Sequence, residues 1–194
     1  DIWVLKLDTD GSVAWEKTYG GSGVDYAFSI QQTSDGGYIV AAWTDSFGAG
    51  NYDAWILKLH SDGSMAWQKT YGGSNYDNAC SIQQTSEGGY IVAGQTHSFG
   101  AGNGDIWVLK LNTDGTVAWQ KTYGGSNYDY FTSIQQTSDG GYIVAGHTYS
   151  FGAGSNDIWV LKLNTDGTVA WEKTYGGSNY DYATSIQQTS DGGY

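Results

Sequence analysis

The stretch DIWVLKLDTDGSVAWEKTYGG (Asp1–Gly21) carries the fold. Drawn out as a strand, DIWVLKL sets Ile2 and Val4 on one side and Trp3, Leu5 and Leu7 on the other. Apolar residues on both sides mark a strand sandwiched between two layers. The turn DTDG follows, and then SVAWEKTY, in which Val13, Trp15 and Lys17 alternate with Ala14, Glu16 and Thr18. That alternation is the pattern of a half-exposed outer strand. The same phrase returns at Asp53, Asp105 and Asp157, a period of 52 residues. Residues 105–142 and 157–194 differ only at Gln120/Glu172 and Phe131/Ala183. Internal similarity of this kind implies duplication of one structural unit.

The rest of the period contains two further strands. After GGSNYD comes YATSIQQT, small and polar; the turn SDGG then leads into YIVAG, apolar on both sides. Asp-Gly and Gly-Gly pairs are hairpin signals, and no stretch has helical periodicity. Four antiparallel strands in a unit of this length make a propeller blade. The expected fold is therefore all-β, a β-propeller of four-stranded antiparallel blades with a 52-residue repeat. SIQQT lines a central channel, followed outward by YIVAG, DIWVLKL and VAWEKTY. The chain forms a single repeat domain, 1–194, with units 1–52, 53–104, 105–156 and a truncated 157–194. The copy of SIQQTSDGGY that begins at Ser185 stops at Tyr194, without the YIVAG strand. Fifteen strands are then expected where sixteen complete four blades. Either the sequence is a window cut from a longer array, or open sheet edges recruit a strand from another chain.

Composition narrows the function. Thirty glycines and no proline accompany nine Trp and sixteen Tyr, so turns are plentiful and there is ample surface to bury. The formal charge is −12, and every cation is a lysine at one of two repeat positions. An acidic surface without basic clusters argues against nucleic acid or an anionic membrane as partner. No apolar run is long enough to span a bilayer, so no membrane insertion is expected, and no signal-peptide pattern precedes the first strand. The single Cys80 forms no internal disulfide.

GGYIVAG with DIWVLKLNTDGTVAWEKTYGG resembles the blade repeats of propellers of the pyrroloquinoline-quinone enzyme type. In that group a turn glycine followed four residues later by Trp forms a tryptophan-docking contact between blades. Gly11/Trp15, Gly63/Trp67, Gly115/Trp119 and Gly167/Trp171 match the spacing. The resemblance thus implies blade docking by Trp15, Trp67, Trp119 and Trp171. With SFGAG before the Asp, the phrase is more similar still to long repeat arrays in secreted or surface proteins of bacteria and archaea. That likeness implies an extracellular or cell-surface location. The quinone enzymes' catalytic Asp, calcium site and vicinal cysteine pair have no counterparts to carry over.

Catalysis needs one cluster in one pocket, and no enzyme activity is expected here. His60, His97 and His147 fall at different repeat positions, and Cys80 fills a slot held elsewhere by Phe28, Thr132 and Thr184. No cofactor is expected. Weak calcium binding is one reading of Asp1, Asp53, Asp105 and Asp157 with Asp77, Asp129 and Asp181; the other is that they cap loop amides. The copies differ most at Tyr26–Phe28 and its equivalents, around Trp43, Asp45, Gln95, His97, His147 and Tyr149, and at Asn51–Tyr52. In a propeller those loops share one face, and a varied face on a fixed scaffold suits ligand binding. The expected function is a non-enzymatic extracellular repeat scaffold, structural or adhesive. Its partner is itself, in an oligomer or filament, or neighbouring repeats of a longer chain. The alternatives are a carbohydrate- or ligand-binding propeller module and a fragment of a quinone-type propeller enzyme.

Overall fold

A computed structural model describes residues 1–194, and every regular element in it is a strand. β1 (Ile2–Leu7) and β2 (Val13–Tyr19) form a two-stranded sheet. Three four-stranded antiparallel blades follow. The first contains β3 (Asp25–Gln32), β4 (Tyr38–Thr44), β5 (Asp53–Leu59) and β6 (Met65–Tyr71). The second contains β7 (Asp77–Gln84), β8 (Tyr90–Thr96), β9 (Asp105–Leu111) and β10 (Val117–Tyr123). The third contains β11 (Asp129–Gln136), β12 (Tyr142–Thr148), β13 (Asp157–Leu163) and β14 (Val169–Tyr175). Within each blade the strands are ordered as in the sequence. The molecule is a β-propeller of three complete blades and a partial one.

Fourteen strands form, one fewer than the sequence pattern gives. In the three complete blades the SIQQ strand is held by a full ladder to the strand that follows, for example Ile82 opposite Val92 and Gln83 opposite Ile91. The Ser185 copy has no such neighbour and makes no ladder, although its sequence matches the others. It still takes the inner position. Ile30, Ile82, Ile134 and Ile186 line one central cavity of about 360 Å³ together with Gln31, Gln83, Gln135 and Gln187.

Neighbouring units join through three sets of contacts, each made three times along the chain. The first is apolar: Ala54 and Ile56 of one blade meet Tyr90, Val92, Trp107, Leu109 and Leu111 of the next. The second is an aromatic lock over a turn. The hydroxyls of Tyr19, Tyr71 and Tyr123 donate to the carbonyls of Gly63, Gly115 and Gly167 at 2.5, 2.6 and 2.6 Å. Trp15, Trp67 and Trp119 cover the same glycines, where a Cβ would stand 2.9, 3.0 and 2.8 Å from the indole. The third is a glutamine lattice around the channel. Gln31 Oε1 accepts from the Gln84 amide at 2.6 Å, and Gln84 Oε1 accepts from the Ser34 amide at 2.8 Å.

Inside each blade a buried lysine crosses to the tight turn between the two inner strands. Lys58 meets Asp35 at 2.9 Å, Lys110 meets Glu87 at 3.2 Å and Lys162 meets Asp139 at 2.9 Å. Hydrogen bonds from Thr33 and Lys58 hold the Asp35 carboxyl well below the ordinary range. Those from Thr137 and Lys162 bring Asp139 down to about 2. Burial acts to raise Glu87, but hydrogen bonds from Gln136, Lys110 and its own turn outweigh it and bring it to about 2.

Two consequences are measurable. Gly115 has φ +78°, so Gly115→Ala combines a left-handed backbone with a clash on Trp67 and costs about 1–2 kcal/mol. Tyr123→Phe costs about 1 kcal/mol by removing a buried hydrogen bond. Urea titrations check both, and loss-free variants would show that the lock contributes nothing. The depressed carboxyl groups stabilise the fold above their unfolded pKa near 4 and lose that effect as pH falls toward 2. A urea midpoint that is flat down to about pH 5 and then declines is expected; a decline setting in near neutral pH contradicts it.

Candidate functional site

The face opposite the tight turns is built from two loops per repeat. One runs from the outer strand into the next inner strand (Gly20–Val24 and its equivalents), and the other leaves the second strand (Asp45–Tyr52). They are stitched together by main-chain bonds such as Asp45 N to Val24 O at 3.1 Å and His97 N to Tyr76 O at 2.9 Å. Acids fasten them from beneath. Asp25, Asp77 and Asp129 are buried; each accepts the hydroxyl of Thr44, Thr96 or Thr148 on one oxygen. On the other oxygen each takes a glycine amide, from Gly21, Gly73 or Gly125, and a serine hydroxyl. Asp53 and Asp105 cap the SFGAG loops, for example through Ala49 N at 2.8 Å and Ala101 N at 2.9 Å. These carboxylates hold amides and hydroxyls, and no three His, Cys, Asp or Glu side chains converge as metal ligands.

On this foundation lies a run of aromatic rings that crosses all the repeats. Trp43 stacks on Tyr26 and meets Tyr52 edge-on at 4.4 Å. Tyr52 reaches Tyr76 at 5.2 Å, and His97 lies between Tyr76 and Tyr128 at 6.3 and 6.0 Å. Tyr128 stacks on Tyr130, which stacks on His147 at 4.9 Å. Tyr130 also meets Tyr149, and the run ends on Tyr180 and Tyr182. Tyr26, Tyr76, Tyr128, Tyr149, Tyr180 and Tyr182 are exposed, so the run is an outer surface. Offset and edge-on contacts satisfy the ring quadrupoles, so each ring steadies its neighbours.

Of the residues singled out in the sequence, Trp43, His97, His147 and Tyr149 all belong to this run. Asp45 sits at its margin, its carboxylate taking the Val24 amide. Gln95 lies underneath, and its Nε2 donates to no partner. Nδ1 of His147 is likewise buried without a partner, and burial lowers that imidazole's pKa, which favours the neutral ring. Tyr130 and Tyr182, equivalents of Tyr26, and Tyr52 fall in the stretches that vary, whereas sequence reasoning missed Tyr76, Tyr128 and Tyr180, which carry the run from blade to blade. The signal was there in the Tyr of SNYD, which three copies share and Val24 replaces in the first. Cys80 lies elsewhere, beside Asn78, with burial pushing its thiol up to about 11.

Docking tryptophans fall into two groups. Trp15, Trp67 and Trp119 are seated on the next unit's turn, whereas Trp171 faces outward against Tyr194. Both ends of the arc are open. Trp3 is 61% exposed where Trp55 is 1%, and Tyr175 is 54% exposed where Tyr123 is 7%.

A family described as "Domain of unknown function (DUF5122) beta-propeller" matches residues 88–117 and 137–169. No curated protein matches the chain. Among solved structures, one described as a protein of unknown function from Bacteroides caccae is similar at 13% identity. The alignment covers 87% of this chain and 73% of that one, with a TM-score of 0.34.

Proposed function

We propose that this chain is a non-enzymatic repeat scaffold of the extracellular space or cell surface, structural or adhesive, that assembles with further copies of itself. The observation that carries the reading is the distribution of its contacts. The Tyr19, Tyr71 and Tyr123 hydroxyls make the same bond to a turn glycine of the next unit, and Gln31, Gln83 and Gln135 each accept a main-chain amide from the next inner segment. Trp3, Leu5 and Leu7 are exposed, whereas their counterparts Trp55, Leu57 and Leu59 are buried. A contiguous patch of that kind marks an interaction surface. The acidic charge of −12, with lysines confined to repeated structural positions, leaves the assembled object soluble and without affinity for polyanions. Light scattering over a concentration series tests the reading. A weight-average mass that rises steadily above 20.9 kDa with concentration is expected; a mass fixed at the monomer at all concentrations contradicts it.

A second reading is favoured by the aromatic run. Exposed Tyr and Trp rings beside amide side chains suit a neutral carbohydrate, whose C–H faces pack on rings while its hydroxyls bond to amides. The residues that carry it are Trp43, His97, His147 and Tyr149 with the tyrosines between them. Trp43→Ala and Tyr128→Ala are expected to weaken binding of a neutral oligosaccharide about tenfold or more, with the melting temperature little changed. Calorimetry showing no saturable binding to the parent chain removes this reading.

A further inference from the structure

One junction between blades carries two phenols where the later ones carry one. Tyr52 stands just before β5 of the first blade and Tyr76 just before β7 of the second, and the two residues face each other in a parallel bridge. The Asp77 amide donates to the Tyr52 carbonyl at 2.8 Å, and the His97 amide donates to the Tyr76 carbonyl at 2.9 Å. Main-chain bonds therefore fix both tyrosines as neighbours. The same bridge recurs as Gly104 with Tyr128 and as Asn156 with Tyr180, so there the second ring is replaced. An aromatic pair is thus not needed to close a junction.

The rings of Tyr52 and Tyr76 lie 5.2 Å apart between centroids, with 32° between their planes. The other tyrosine pairs of the aromatic run stand farther apart, at 5.8, 6.2, 6.4 and 6.4 Å. Tyr76 is exposed and Tyr52 half-buried, so an oxidant in solvent reaches the pair. Beside them lies a cavity of about 80 Å³, lined by Trp43, Tyr52, Tyr76, Asp77 and Asn78. That space lets the rings shift toward each other without displacing the packed sheet beneath.

We propose that Tyr52 and Tyr76 are a site of oxidative cross-linking, joined as dityrosine by a haem peroxidase that uses hydrogen peroxide. Each phenol gives up one electron and one proton to become a phenoxyl radical. The two radicals couple through the ring carbons next to their oxygens, forming one carbon–carbon bond. The hydrogen on each coupled carbon then moves to the oxygen of its ring, which restores both phenols. The two electrons and two protons removed reduce one hydrogen peroxide to two waters. The product is a covalent staple between the first and second blades, and it forms within one chain whether or not copies assemble. It restricts the unfolded chain in the way a disulfide does, without needing a cysteine pair.

The whole chain, held dilute, is treated with a haem peroxidase and an equal amount of hydrogen peroxide. Dityrosine fluorescence, denaturing electrophoresis and peptide mapping by mass spectrometry read the outcome. A product of single-chain mass, lighter by two hydrogens, with a Tyr52–Tyr76 linked peptide as its main cross-link, is expected. Tyr52→Phe and Tyr76→Phe each keep the ring and remove the hydroxyl; both are expected to lose that linked peptide and most of the fluorescence. Tyr128→Phe is expected to keep both signals. Gly104 and Asn156 stand at the Tyr52 position and Val24 at the Tyr76 position, so neither hydroxyl is required for folding. The map of the parent chain decides the matter by itself if a variant fails to fold. A main link between Tyr128 and Tyr130 or between Tyr180 and Tyr182 overturns the proposal. Links found only between chains, undiminished fluorescence in Tyr52→Phe, or no dityrosine in the parent overturn it equally.

Discussion

The structure depends on the closure of a tyrosine and a tryptophan from one unit over the glycine turn of the next. Only glycine accepts both the left-handed φ of that turn and an indole lying on its Cα. The tyrosine hydroxyl then binds the carbonyl the turn presents, so backbone geometry, aromatic burial and a polar bond coincide at one point. A blade alone has two apolar faces and cannot bury either. Trp55, Trp107 and Trp159 are covered because a neighbouring unit stands in front of them, and Trp3 is exposed because none does. Stability is therefore a property of junctions, as in other repeat arrays, where each unit contacts its nearest neighbours.

The same division of labour separates the two faces of the propeller. On one, Asp35, Glu87 and Asp139 anchor buried lysines and brace tight turns, which leaves little freedom for the sequence to vary. On the other, buried aspartates hold the loop amides from below, so the side chains above them are free to differ. Trp43, Gln95 and His147 occupy one repeat position and place three chemistries on an unchanged frame. An aromatic surface arises there from tyrosines that most copies share at the Tyr26 and Tyr76 positions, with the more varied residues set among them. Scaffold and display surface are thus encoded by different residues of the same period.

Much of this was readable from the residues. The 52-residue period, two-sided apolar DIWVLKL and the Asp-Gly turns gave blade, strand order and an inner SIQQ lining. Other features depend on how blades twist against one another. Tyr19 reaches Gly63 across 44 residues, and Tyr52 meets Tyr76 across 24; no local pattern marks such pairs. The Ser185 segment shows the converse limit. Its sequence equals that of β11 over SIQQ, yet it forms no strand, since extended structure needs a neighbour to receive its hydrogen bonds. The glycine–tryptophan spacing marked four docking residues alike, but three are seated and Trp171 faces out.

Hydrogen exchange followed by mass spectrometry at low and high protein concentration tests the central claim most directly. At low concentration β4, β5, β8 and β9, covered on both sides, are expected to exchange slowly, and β1 and β14 quickly. Raising the concentration is expected to protect β1, the Asp8–Ser12 turn and β14 while the inner blades stay unchanged. Equal protection of all strands at every concentration, or new protection confined to the aromatic face, would contradict the account.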